Sequence, residues 1–294
     1  MGRFYEKMTG IFSGEKLIQN TVLNLMGLHV FRILISQLIY SIRSMLLYPK
    51  LTKDQKILRE DGIIFIKNFL PNDEFESLKK EYENAEKFGG TFSEIKDGDS
   101  VWSRRKFSST QLENLSNTKK FLADPRLIDL ICSGEARKVP ITAAWFDTMS
   151  YPEKMIRGKH ESAQAELMHM DIFFNSHKVF YLMYDVKEED GPLVFCPGTH
   201  HLSFKRLRYE YKKSIEQVNL GKDSFQADEK NESILGLKNI KAIAPANTLV
   251  VMNGRAFHRR GDAKVGTKRS IIFTQFRYNP FSFKTHIHSK KKAN

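Results

Sequence analysis

The sequence predicts a mainly β chain with flanking helices, its strands closing into a barrel or sandwich core. Three observations carry this. Helix-period segments dominate the chain as far as Pro140. From Ile141 onward, short runs of Val, Ile, Phe, Tyr and Thr take over, at 141–149, 167–174, 178–185, 193–196, 240–243, 248–253 and 269–277. Turn residues separate them, among them Gly191-Pro192, Pro197-Gly198, Gly261-Asp262 and Gly266. A charged, helix-like stretch at 204–236 reads as an insertion between strands.

The elements follow in chain order. Residues 17–47 are the most apolar stretch, yet His29, Arg32, Gln37 and Arg43 interrupt it, so it is not expected to span a bilayer. Leu28, Phe31, Ile35, Leu38, Ile42 and Met45 recur at spacings of three and four, one face of a helix, while His29, Arg32, Ser36 and Arg43 take another. Two readings stand: a helix packed on the domain's own sheet, or an in-plane membrane helix whose arginines meet anionic headgroups. The basic tail at 290–292 suits the second reading, and equally a solvated, frayed end. The first residues lack the apolar core and cleavage site of a secretory signal, and Glu6 stands where a myristoylation motif wants Ser or Thr.

Thr52-Lys53-Asp54-Gln55 has the form of a capping box opening a short helix, which Asp61-Gly62 ends. Ile63–Ile66 is a buried β-run. Asn72 is placed to cap a helix with Phe75, Leu78 and Tyr82 on one side, ending near Gly89-Gly90. Residues 91–116 are mixed and polar and read as loop, and helix returns around 118–133. The expected organisation is an amphipathic helical segment at 1–50 and a β-centred domain at 51–294, with the insertion at about 204–236.

Composition narrows the class. Hydrophobic residues are 41% and charged residues 28%, enough apolar material for a full core. The 22 Phe suggest a core or pocket walled by aromatic rings. Two cysteines, Cys132 and Cys196, exclude a disulfide scaffold and a Cys-rich zinc site and fit a reducing, cytoplasmic setting. A peripheral seat at the inner membrane face would follow from the in-plane reading of residues 17–47. The net charge of +13 favours anionic partners. Nucleic acid is not expected among them, because no recognisable binding motif occurs and the basic residues are not interleaved with aromatics along one segment.

The chemistry centres on Leu167-Met168-His169-Met170-Asp171. On a strand, residues two apart project to the same face, so His169 and Asp171 offer nitrogen and oxygen ligands together. Nine His and 14 Asp make about 0.4 such pairs by chance, so the pair alone proves little. The candidate third ligand is His258, after the β-run that begins at 248. Two histidines and one carboxylate with open positions form the facial triad of non-haem Fe(II) oxygenases. Arg269 opens a further strand; an inward guanidinium is costly without an anion, and its planar fork suits a carboxylate.

With these residues in place, the chain resembles the phytanoyl-CoA dioxygenase family of Fe(II)- and 2-oxoglutarate-dependent oxygenases. The resemblance runs from about Leu58 to Tyr278. It includes Asp61-Gly62-Ile63-Ile64-Phe65-Ile66-Lys67-Asn68-Phe69-Leu70-Pro71, His169-Met170-Asp171, Asp190-Gly191-Pro192-Leu193 running into Pro197-Gly198-Thr199-His200, and then His258 and Arg269. It implies a double-stranded β-helix, jelly-roll or cupin-like, with His169, Asp171 and His258 on iron and Arg269 on the distal carboxylate of 2-oxoglutarate. It further implies consumption of O2, release of succinate and CO2, and hydroxylation rather than halogenation, since Asp171 fills the place a halide would need. Asp190 stands where family members often have Asn, a mild departure.

Other residues are weighed around that frame. Tyr184 could hydrogen-bond near the 2-oxo acid or be an ordinary strand aromatic. Trp145 and Phe146 could wall the pocket but are expected in the core, His200 and His201 at a turn, and His160, His177, His286 and His288 in exposed loops. Basic clusters at Lys154, Arg157 and Lys159, at Lys205, Arg206, Arg208, Lys212 and Lys213, and at Arg259 and Arg260 are either a solvated face or an anion-binding rim. The rim would suit a small or lipid-like anionic substrate. Alternatives are a non-catalytic ligand-binding module on the same barrel and a membrane-associated glycolipid hydroxylase.

Overall fold

The computed structural model describes residues 12, 15–141, 143–154, 165–220 and 225–281. His160, Arg157, Lys159, His286, His288 and the basic tail lie outside them. The described chain begins with helices α1 (Thr21–Leu25), α2 (Leu28–Leu47) and α3 (Lys53–Asp61), then strand β1 (Ile63–Ile66) and helix α4 (Asn72–Glu83). Strands β2 (Thr91–Asp97) and β3 (Ser100–Ser108) precede helices α5 (Ser109–Leu112), α6 (Ser116–Leu122) and α7 (Pro125–Glu135). Then come β4 (Ala143–Ser150), β5 (Met168–Met170), β6 (His177–Leu182), β7 (Leu193–Phe195), α8 (Phe204–Asn219), β8 (Phe225–Ala227) and α9 (Glu229–Leu235). The described chain closes with β9 (Ile240–Lys241), β10 (Thr248–Asn253), β11 (His258–Arg260) and β12 (Lys268–Phe276).

These strands form two antiparallel sheets. The larger has the order β1-β10-β6-β12-β4-β3-β2, the smaller β8-β5-β11-β7-β9. Alternation along the strands decides which side chains meet. Ile271 and Phe273 of β12 join Trp145, Leu182, Val250, Met252, Leu193 and Phe195 in the core between the sheets. Their neighbours Ile272, Tyr181, Leu249 and Val251 join Phe146 and meet Leu58, Phe75, Leu78, Phe121 and Leu130 of the flanking helices. A third apolar cluster, with Met168, Val194, Tyr209 and Phe257, backs the small sheet with α8.

The capping box is formed: Gln55 N donates to Thr52 Oγ1 at 3.3 Å and Thr52 N to Gln55 Oε1 at 3.0 Å. Gly62 ends α3 in the left-handed region at φ +77°. Asn72 is the first residue of α4, with Pro71 at the cap position.

Three expectations are corrected. Residues 91–116 are not loop: β2 and β3 form a hairpin that extends the large sheet, turning at Gly98 with φ +65°. Its exposed polar pattern hides it, because an edge hairpin has little to bury. The stretch 204–236 is not wholly outside the sheet, since β8 pairs with β5, Gln226 opposite His169. His177 is buried on β6, its Nδ1 2.7 Å from Glu135 Oε1.

The N-terminal helix packs on the domain, but by its polar face. His29, Arg32, Ile33, Ser36 and Ser44 are buried. Arg32 is 0% exposed; its Nη2 donates to the carbonyls of Glu15 and Lys16 at 3.1 and 2.6 Å, and its guanidinium lies 3.9 Å from the centroid of Phe173. Arg32 therefore meets no headgroup.

Candidate active site

The site grows from one cross-strand pair. β11 lies between β5 and β7, and His258 sits opposite His169. Opposed residues on neighbouring strands bring their side chains together, and the two imidazole centroids are 4.5 Å apart. Asp171 lies one residue past the end of β5, and its amide donates to Gly254 O at 2.9 Å. His169 Nε2 is 3.9 Å from Asp171 Oδ1, and His258 Nε2 is 3.5 Å from Oδ2. The three side chains offer donor atoms all within 4.8 Å of one another.

Their chemistry fits a divalent metal. His169 Nδ1 is 2.8 Å from Leu167 O, and His258 Nδ1 is 2.9 Å from Ala256 O. A carbonyl only accepts, so each Nδ1 carries the proton and each Nε2 presents a lone pair. His258 Nε2 is buried without a hydrogen-bond partner, an orphan acceptor that a metal ion would satisfy. Burial lowers the pKa of both imidazoles, that of His258 to about 3, which keeps them neutral. Burial works against ionisation of Asp171, but the Lys178 ammonium beside it outweighs that and holds the carboxyl well below its usual range.

Motifs distant in sequence hold this pair in place. Gly198 N donates to Asp61 O at 2.8 Å, and His200 Nε2 lies 3.0 Å from Arg59 O. A Cβ at Gly62 would stand 2.5 Å from His200 Nδ1. Thr199 Oγ1 accepts the Phe257 amide at 2.9 Å, one residue before His258. Arg206, buried in the charged stretch, pairs with Glu210 at 2.7 Å and donates to Arg255 O at 2.7 Å and to Thr199 O. His200 and His201 are thus fastened at a turn, as expected.

A cavity of about 110 Å³ adjoins His169 and His258. Arg269 lines it from β12, and its Nη1 donates to Gly191 O at 2.6 Å. Gly191 has φ +64°, and a Cβ there would overlap the Tyr151 hydroxyl, so the Asp190-Gly191-Pro192 turn requires glycine. Tyr184 is elsewhere: it is partly exposed, donates to Glu83 Oε1 at 2.7 Å, and lines a separate surface groove. It lies past the end of β6, so the alternation of that strand does not turn it toward the cavity.

Two groups at the cavity were not singled out in the sequence. Lys178 Nζ is 2.6 Å from Asp171 Oδ2. Asp147 takes a two-pronged contact from Arg104, Nε to Oδ1 at 2.8 Å and Nη2 to Oδ2 at 2.6 Å. Both follow from period two: Lys178 shares a face with Phe180 and Leu182, and Asp147 with Trp145 and Met149, facing inward. Among the cations expected at a rim, Arg260 is buried against Asp97 and Glu166, and Arg206 and Lys213 are buried with Glu210 and Glu216.

The fold and the His-Asp-His cluster define an Fe(II)- and 2-oxoglutarate-dependent oxygenase on a double-stranded β-helix. The family model described as phytanoyl-CoA dioxygenase (PhyH) matches residues 58–262, and the chain belongs to that family. Among solved structures, apo EctD from S. alaskensis is similar at 13% identity, with a TM-score of 0.53 over 81% of this chain and 82% of that one. The epimerase SnoN in complex with Fe3+, alpha ketoglutarate and nogalamycin RO is similar at 12% identity, with a TM-score of 0.52 over 82% and 92%. No curated protein matches the sequence.

Proposed function

We propose that the protein hydroxylates a small or lipid-like, anionic molecule, with His169, Asp171 and His258 as the ligands of Fe(II) and Arg269 as the partner of the distal carboxylate of 2-oxoglutarate. The observation that carries the ligand set is the pair of imidazoles tied through Nδ1 to their own strands, with both Nε2 lone pairs turned toward Asp171. Fe(II), when bound, couples O2 reduction to oxidative decarboxylation of 2-oxoglutarate, giving succinate, CO2 and one oxygen atom for the substrate. The chain's residues supply placement. Arg269 is held by Gly191 O through one nitrogen, and the rest of its fork faces the cavity for a carboxylate. Trp102, Met149, Phe180, Leu193 and Phe273 give the same cavity apolar walls that exclude water and suit an apolar substrate body. The chain's net charge of +13 favours a negative group on that body. A lipid-like substrate would be met at a bilayer surface, which residues 17–47 are placed to reach.

The test is succinate formation from 2-oxoglutarate with Fe(II), for the native chain and for His169→Ala. Loss of turnover in the variant is expected, and equal turnover in both proteins would overturn the ligand assignment. Profiling of lipids and metabolites for products heavier by about 16 Da, one inserted oxygen, identifies the substrate class.

A further inference from the structure

Helix α2 is mounted inside out. Its polar residues His29, Arg32, Ser36 and Ser44 are buried in the domain. On the opposite face Phe31, Leu34, Leu38, Ile42 and Met45 form an exposed stripe at helical spacing, with Leu38 59% and Met45 68% exposed. At about 1.5 Å per residue, the stripe from Phe31 to Met45 runs roughly 21 Å along the 20-residue helix. Val22, Leu25 and Met26 of the α1 turn are also exposed. A contiguous apolar surface of this length marks an interaction site.

We propose that this stripe docks the enzyme on an anionic lipid bilayer, with α2 lying in the plane of the interface. The inference rests on the reading of residues 17–47 as membrane-facing, not on the iron chemistry. Charge selects the occupant. No acidic residue occurs between Glu15 and Asp54, while Lys16, Arg43, Lys50 and Lys53 do, beside the buried Arg32. Helix α8 packs beside α1, with Tyr211 Oη donating to Leu25 O at 2.9 Å and Asn24 Nδ2 to Ser214 O at 3.0 Å. Its exposed residues include Lys205, Arg208 and Lys212. An exposed apolar stripe on a segment that carries cations and no acidic residue complements anionic headgroups over acyl chains. A second copy of the chain would bring the same cations face to face.

The in-plane orientation follows from the buried face. Crossing the bilayer would pull Arg32 from the carbonyls of Glu15 and Lys16 and His29 from its stack on Phe225, exposing a buried cation to hydrocarbon. The docked helix bears directly on the site: Ile33 packs with Ile172, Phe173 and Phe174, the residues that follow Asp171.

The test is flotation of the full chain with vesicles of phosphatidylcholine alone and with phosphatidylserine at about 30%. Binding to the anionic vesicles at least about tenfold tighter than to the neutral ones is expected. The triple variant Leu34→Ser, Leu38→Ser, Ile42→Ser should lose about tenfold or more of that affinity. These side chains are solvent-exposed, so its melting curve and its succinate formation in solution should match the native chain's. Lys205→Glu with Arg208→Glu and Lys212→Glu should remove the anionic preference. Failure to float with either vesicle, flotation that survives the triple variant, or a native dimer that the triple variant splits would each overturn the proposal. Succinate formation is scored separately, so an inactive protein that floats sinks only the catalytic reading, and an active one that stays in solution sinks only the docking.

Discussion

The α-carbon of Gly254 stands against the carboxylate of Asp171: a Cβ on it would lie 2.7 Å from Oδ2 and 2.9 Å from Ser176 Oγ. The backbone is pinned there, since Gly254 N donates to Ser176 O at 2.7 Å and Gly254 O accepts from Asp171 N at 2.9 Å. Neither strand can back away from an added methyl, so Gly254→Ala should push the carboxylate aside. The expected result is a loss of about 10–100-fold in metal affinity, the usual cost of disturbing the surroundings of a ligand. Equilibrium dialysis with Co(II) checks it; an unchanged affinity would mean that Asp171 has room the geometry does not show.

Arg269 tests the 2-oxoglutarate assignment. One nitrogen is committed to Gly191 O at 2.6 Å, which aims the rest of the guanidinium into the cavity. Arg269→Lys keeps the charge and loses the fork. A charged hydrogen bond contributes about 1.5–3 kcal/mol, so KM for 2-oxoglutarate should rise by roughly 10–100-fold, with kcat less affected. Succinate formation across a 2-oxoglutarate titration reads this directly, and an unchanged KM would remove Arg269 from the role.

Much of this was legible in the sequence. The His-x-Asp pair lies on a β-run, and His258 and Arg269 fall on later ones, so the triad and the arginine could be named before their distances were known. Tyr184 could not be placed, because whether a strand aromatic faces in or out depends on where the strand ends, and β6 stops at Leu182. The hairpin at 91–108 was lost because its side chains are largely exposed and lack the alternation that burial imposes. Arg32 marks the deepest limit. Helix periodicity separates two faces correctly but assumes that the apolar one turns inward, whereas here a buried arginine held through Nη2 by two backbone carbonyls takes that place.

Acid stability should report the histidines. Burial pushes His200 down to about 3, and the neighbouring His201 adds to it. His258 is likewise pushed down to about 3 by burial. The unfolded chain holds these groups near 6.5. Between about pH 3 and 6.5 the unfolded state therefore binds more protons, and stability falls as the pH falls. The contribution is complete above about 6.5 and is lost progressively toward 3, at up to about 1.4 kcal/mol per pH unit for each group. Urea denaturation of the metal-free protein at several pH values should show this slope, and His200→Gln should flatten it by about one proton. An equal slope in the variant would show that His200 stays neutral in neither state or both.

Lys178 gives the least obvious expectation. Its ammonium is 2.6 Å from Asp171 Oδ2, the oxygen that also faces His258 Nε2. Lysine and metal therefore compete for one carboxylate. Two unit charges about 4 Å apart interact by about 4 kcal/mol at an effective dielectric of 20. Lys178 is partly exposed, with 20% of its side chain open to solvent, so much of that repulsion is relieved when the ammonium swings outward. Lys178→Met keeps the apolar stem and removes the charge. Metal affinity should then rise, by about three- to tenfold after that screening, while His169→Ala lowers it. Dialysis with Co(II) on both variants separates the two effects. A fall in affinity for Lys178→Met would show that the lysine orients Asp171 for the metal instead of competing with it.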